Sequence, residues 1–71
     1  MKGREFVDRV LDLGIARDIE VRIDTKRSKG SHLTLYYGGR KTIVKDRRKE
    51  ISRSLLAAMI RQLGLDPNDF R

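Results

Sequence analysis

Apolar residues recur along this chain with two different periods. Between residues 3 and 13, Phe6, Val7, Val10, Leu11 and Leu13 fall near helical spacing, with Arg4, Glu5, Asp8, Arg9 and Asp12 on the other side. That pattern predicts an amphipathic helix, with Gly14 as its C′ stop. The period then drops to two: Ile19, Val21 and Ile23 alternate with Glu20, Arg22 and Asp24, which predicts a strand over 19–25 with one buried face. Residues 26–30 read as a basic turn. Two more strands, 31–37 and 40–45, flank Gly38-Gly39, the signal for a two-residue hairpin of type I′. The helical period returns after Ser52, a natural N-cap. Leu55, Leu56, Met59, Ile60 and Leu63 form its stripe, Gly64 ends it, and Leu65 folds back as the apolar residue of a Schellman stop. Asp66-Pro67-Asn68-Asp69 reads as a cap, an N1 proline and a single turn, which makes Phe70 a plug against the core.

The hairpin fixes a register. Leu33 is expected opposite Val44, Leu35 opposite Thr42 and Tyr37 opposite Arg40; in between, His32 meets Lys45, Thr34 meets Ile43 and Tyr36 meets Lys41. Directly opposed residues share a face, and faces alternate along a strand. Leu33, Leu35 and Val44 therefore mark the core face. His32, Tyr36, Lys41 and Lys45 share the opposite one, with Thr34 between them. The element order predicts an α+β fold, α-β-β-β-α, with a three-stranded antiparallel sheet, both helices on one face and the other face open.

At 71 residues the chain is expected to be one domain over 1–71, too small for a deep cleft, so a site must be a shallow surface feature. The absence of cysteine excludes disulfides and thiolate–metal sites, and the single histidine makes structural zinc implausible. Asp8, Asp12, Asp18, Glu20 and Asp24 lack metal-ligand spacing, so neither a metal nor another cofactor is expected. No apolar run approaches the roughly 20 residues of a membrane span, so a soluble, cytoplasmic protein without a membrane partner is expected. The net charge of +7 is unevenly placed. Residues 26–49 hold nine basic residues against Asp46 alone, a local charge of +8, while the rest holds eight basic and nine acidic residues. A patch that dense reads as a footprint for a polyanion.

His32 stands directly after Lys29-Gly30-Ser31 in the basic region. An imidazole is the one side chain here that exchanges a proton near neutral pH unaided. On composition alone, an exposed strand histidine without a role is the commoner reading; the surrounding cations point instead to a phosphodiester. Cleavage of a phosphodiester needs a base for the attacking group, positive charge at the phosphorane and a proton for the leaving oxygen. His32 serves as base or acid, and Lys45 opposite it is the candidate for charge stabilisation. Lys29 would steer the backbone, the Gly30 amide would approach a phosphate closely, and Ser31 completes the loop. Tyr36 is the candidate to stack on a base, and Lys41 a phosphate contact.

The string Lys29-Gly30-Ser31-His32, a short hairpin, Lys49-Glu50-Ile51, and then Leu55 to Ile60-Arg61-Gln62-Leu63-Gly64-Leu65 with Phe70 resembles the HicA toxins of prokaryotic toxin–antitoxin pairs, over roughly residues 29–70. The resemblance implies a fold like the double-stranded-RNA-binding domain and an mRNA interferase, a ribosome-independent endoribonuclease whose catalytic histidine maps onto His32. It also implies mRNA as substrate and a HicB-like antitoxin over the active face. Many members carry Pro-x-His after the third strand. Lys45-Asp46-Arg47 stands there in this chain, so no second histidine transfers. The resemblance turns the balance for His32 toward catalysis. Two further readings keep the basic face: a non-catalytic RNA-binding module, which needs the patch but not His32, and a degenerate toxin that retains only antitoxin binding.

Overall fold

In the computed structural model, which describes residues 1–25 and 32–70, the first helix, α1, spans Gly3–Arg17. Its first free amides are taken up by a distant loop: Gly3 N–H donates to the Lys49 carbonyl at 3.1 Å and Arg4 N–H to that of Arg47 at 2.9 Å. The Glu5 carboxylate accepts from the Lys2 amide at 2.8 Å, half of a capping box. Phe6, Val7 and Val10 are buried, as the helical spacing requires.

Gly14 does not end this helix. α1 runs one turn further and closes on Asp18, whose φ of 56° is left-handed. The glycine is needed for proximity instead. Ile19 N–H donates to the Gly14 carbonyl at 2.9 Å, and a Cβ at position 14 would lie 2.8 Å from the Ile19 carbonyl oxygen and overlap the Val21 side chain. The missing side chain lets the next segment cross the helix.

That segment is β1 (Val21–Asp24), followed by β2 (Leu33–Tyr37) and β3 (Arg40–Val44), in sheet order β1-β2-β3 and antiparallel throughout. Each strand is shorter than its pattern predicts. Within them the hairpin register is the expected one, from Leu33 opposite Val44 to Tyr37 opposite Arg40. Of the two turn glycines only Gly38 has positive φ, at 59°. Type I′ needs positive φ at both central positions, so the turn has the sign pattern of type II′. Gly38 N–H also donates to the Glu20 carbonyl at 2.9 Å, tying the hairpin to the start of β1. Leu33, Leu35, Tyr37 and Val44 are buried on one face, which both helices cover. The alternation expected along β1 is weaker. Ile23 sits opposite Leu35 but stays 42 % exposed, because β1 is an edge strand that the helices roof only in part.

The second helix, α2, spans Arg53–Gln62. Ser52 Oγ accepts from Leu55 N–H at 3.3 Å. The stop is the predicted Schellman motif: Leu65 N–H donates to Ile60 and Gly64 N–H to Arg61, both at 3.0 Å, with Gly64 at φ 68° and Leu65 buried. Met59, Ile60 and Leu63 are buried, whereas Leu55 is 37 % exposed and lies outside the core. The core face carries one buried polar side chain among the described residues, Thr42, whose hydroxyl donates to Gln62 Oε1 at 2.5 Å.

A 3-10 turn over Pro67–Phe70 closes the fold, with Asp66 accepting from Asn68 N–H at 2.9 Å. Phe70 stacks on Phe6 at 5.1 Å between ring centres, the plug its sequence position suggested. Arg9 donates to the Asp69 carbonyl at 3.0 Å and Arg17 to the Asp69 carboxylate at 2.8 Å. Among the described residues, no helix is long and apolar enough to cross a membrane.

Candidate functional site

The helices leave the second face of the sheet uncovered, and the register arranges it as rows. Nearest the hairpin turn, Arg22, Tyr36 and Lys41 stand side by side across the three strands. The next row is Asp24, Thr34 and Ile43. His32 and Lys45 each lie one residue beyond the last paired residues, Leu33 and Val44, and both are exposed. Tyr36, Thr34 and Asp24 are half-buried by their neighbours, while Arg22, Lys41 and Ile43 are exposed. A shallow depression on this face is lined by Asp24, Thr34, Tyr36, Lys41, Ile43 and Lys45, and it continues past the edge of β3 to Leu55, Met59 and Gln62 of α2.

One feature of this face goes beyond what the strand pattern supplies, and a second follows from that pattern. The Arg22 guanidinium lies over the Tyr36 ring, 4.4 Å from its centre, so one face of the expected stacking residue is already covered. Ile43, a large apolar residue, stands 56 % exposed in the middle row of a polar face. Register explains both. The tight turn ties β2 to β3 within the sequence, so their partners could be counted. Residues 25–32 separate β1 from β2, and no turn signal there fixes which residue meets Tyr36. Alternation put Arg22 on the polar side, but not against that ring.

Lys45 opens the loop that leads to α2. Loop carbonyls hold the start of α1, so the segment is anchored at both ends. Asp46 accepts from Arg48 N–H at 2.9 Å and pairs with its guanidinium at 3.6 Å. The Arg48 amide holds the Asp46 carboxyl below its ordinary range, opposed by burial and helped to a lesser degree by the Arg48 and Lys49 charges. The one acid of the basic segment offsets part of Arg48, while Arg22, Lys41 and Lys45 are exposed cations on and beside the open face. Among the described residues, no group of three or more His, Cys, Asp or Glu side chains is placed to hold a metal ion. Lys29, Gly30 and Ser31 lie outside the described residues, so of the expected site residues the structure describes His32, Tyr36, Lys41 and Lys45.

The family model described as "HicA toxin of bacterial toxin-antitoxin" matches residues 21–65. The match takes in all three strands and α2 through Leu65, more than half of the chain. It begins earlier than the resemblance carried by the Gly-Ser-His string, so β1 belongs to the family segment, and it stops short of Phe70. Neither a curated protein nor a solved structure matches the chain. On the strength of the family match, with the α-β-β-β-α fold behind it, this chain belongs to the HicA toxin family of bacterial toxin–antitoxin systems.

Proposed function

We propose that this toxin is an endoribonuclease that cleaves mRNA with His32 as its proton-transfer group and without a metal ion. The observation that supports the reading is the exposed His32, one residue before Leu33 of the Leu33–Val44 pair, with the exposed Lys45 one residue after Val44. In the reaction, the 2′-oxygen of a ribose attacks the adjacent phosphorus and the bond to the 5′-oxygen breaks. The 2′-hydroxyl proton passes to a base, and the leaving oxygen takes a proton from an acid. His32 performs one of these transfers. Lys45 stabilises the charge that develops on the phosphorane oxygens, and Lys41 and Tyr36 hold the chain further along the face. Lys29, Gly30 and Ser31, which precede His32 in sequence, complete the proposed RNA site. General acid–base catalysis contributes about 10²–10⁴-fold, a range that one imidazole supplies.

The test is replacement of the imidazole. His32→Ala is expected to abolish both growth arrest and RNA cleavage while thermal unfolding stays unchanged, since the residue is exposed. Lys45→Ala is expected to lose less, because it removes a charge contact and not the proton-transfer group. Full toxicity from a well-expressed His32→Ala protein would overturn the catalytic reading. If that protein also bound RNA as before, the face would be a non-catalytic RNA-binding module.

A toxin of this kind needs a silencer in its own cell. The accessible target is the basic face, so the proposed partner is a HicB-like, acidic antitoxin that covers His32 and the hairpin. Ile43 is its apolar anchor point, because Ile43 is the large apolar side chain exposed in the middle row of that face, on the edge strand β3.

A further inference from the structure

Sequence reasoning offers Tyr36 to an incoming base, but Arg22 already occupies that ring face at 4.4 Å. The two are direct cross-strand partners, and Lys41 stands on the other side of Tyr36 in the same row. Arg22 is itself exposed, whereas the ring beneath it is half-buried. A guanidinium is planar, always charged and weakly hydrated, and it stacks on aromatic surfaces, including the flat faces of bases. Held over a ring, it loses less conformational freedom when a ligand arrives than a lysine or an unsupported arginine would.

We infer that Arg22 is the stacking platform of a remote RNA subsite, with the Tyr36 ring as its backing and Lys41 as the adjoining phosphate contact. The inference rests on the reading of the open face as the RNA site and adds to it a residue and a place. Tyr36 of β2 lies four residue steps from His32, roughly 13 Å at the rise of a strand. A base stacked on Arg22 therefore belongs to a nucleotide outside the cleaved linkage. Arg22 positions the substrate strand and takes no part in proton transfer. Stacking accepts any base, so the subsite recognises single-stranded RNA without reading its sequence.

The experiment measures binding of a fluorescently labelled single-stranded hexanucleotide RNA to His32→Ala protein, which removes cleavage from the measurement. Second substitutions at Arg22 and Tyr36 are compared in that background, with thermal unfolding as the control for folding. Arg22→Ala is expected to weaken binding about tenfold, the size of one stacked base. Arg22→Lys is expected to weaken it nearly as much, with the salt slope retained, because the charge survives and the plane does not. Tyr36→Leu should weaken binding, and add little once Arg22 is already Ala. Parent-like binding by Arg22→Lys alone would reduce Arg22 to a charge and overturn the platform. Parent-like binding by every Arg22 and Tyr36 variant would make the pair a structural contact only. If the parent bound no RNA at all, the reading of the face would fail and this inference with it. Weakened binding by Lys41→Ala beside unaffected Arg22 variants would leave the RNA face standing and remove the subsite.

Discussion

Asp69 shows how much a single side chain near the end of the chain does for the fold. Its carboxylate accepts from Arg17 at 2.8 Å, and that bond holds it below the ordinary aspartate range. A depressed value in the folded state means that the unfolded chain takes up the proton first. The contribution is therefore present at neutral pH and is lost as pH falls from about 4 through the folded-state value. Asp69→Asn is expected to melt below the parent protein at pH 7, and the two melting curves should draw together as the solution is acidified to about pH 2. The difference will be small, because the pair is exposed to solvent screening. A constant gap across the whole pH range would mean that packing, and not the ion pair, was lost. Arg17 gains from the same contact: Asp69 first, and the Tyr37 hydroxyl second, raise its own pKa. Among the described residues, no hydrogen bond of ordinary geometry reaches the buried Tyr37 oxygen. Neither the Arg17–Asp69 pair nor the Arg22–Tyr36 stack was legible in the sequence, since each joins residues whose proximity only the assembled fold decides. His32, Lys41 and Lys45 were legible as one face because a two-residue turn lets their partners be counted along the chain.

At the scale of elements, period and punctuation identify both helices, all three strands and the last turn in the right order. The errors are at the ends and come from tertiary contact. Gly14 has the local appearance of a helix stop, yet it lies inside α1 because β1 passes over it. Two opposed effects decide what Gly14→Ala does. Alanine is favoured over glycine inside a helix by about 1 kcal/mol. Against that, the new Cβ meets the Ile19 carbonyl and the Val21 side chain, and overpacking of that kind costs about 1–3 kcal/mol. Backbone cannot give way as a flexible side-chain tip can, so the second effect wins. Gly14→Ala is expected to lower the melting temperature, and a raised one would show that β1 sits loosely on the helix. Leu55 is the converse case: its spacing placed it on the core stripe, but α2 is rotated so that Met59, Ile60 and Leu63 take the interior and Leu55 remains at the margin beside β3. The sequence period defines a stripe, and only the packing partner defines how wide a stripe is covered.

At the scale of the molecule, the sheet divides two tasks between its faces. One face carries Leu33, Leu35, Tyr37 and Val44 and is roofed by the helices; the other carries the exposed cations and is left for a partner. Residues 26–49 hold a local charge of +8, so a partner that covers the open face is attracted over a distance set by the ionic strength. The lifetime of the complex is a different matter, decided by desolvated contacts at its centre. In the proposed complex Lys41 and Lys45 serve the first and Ile43 the second. Replacing either lysine with alanine is expected to slow association with a HicB-like antitoxin and flatten its salt dependence, with little change in dissociation. Ile43→Asp is expected to speed dissociation more than about tenfold, and to leave the melting temperature near that of the parent because the side chain is 56 % exposed before binding. Rates measured by surface plasmon resonance at two salt concentrations separate these effects. Unchanged dissociation from Ile43→Asp, together with an antitoxin complex in which the 31–45 hairpin exchanges its amide hydrogens as fast as in the free toxin, would place the antitoxin elsewhere and require inhibition at a distance from His32.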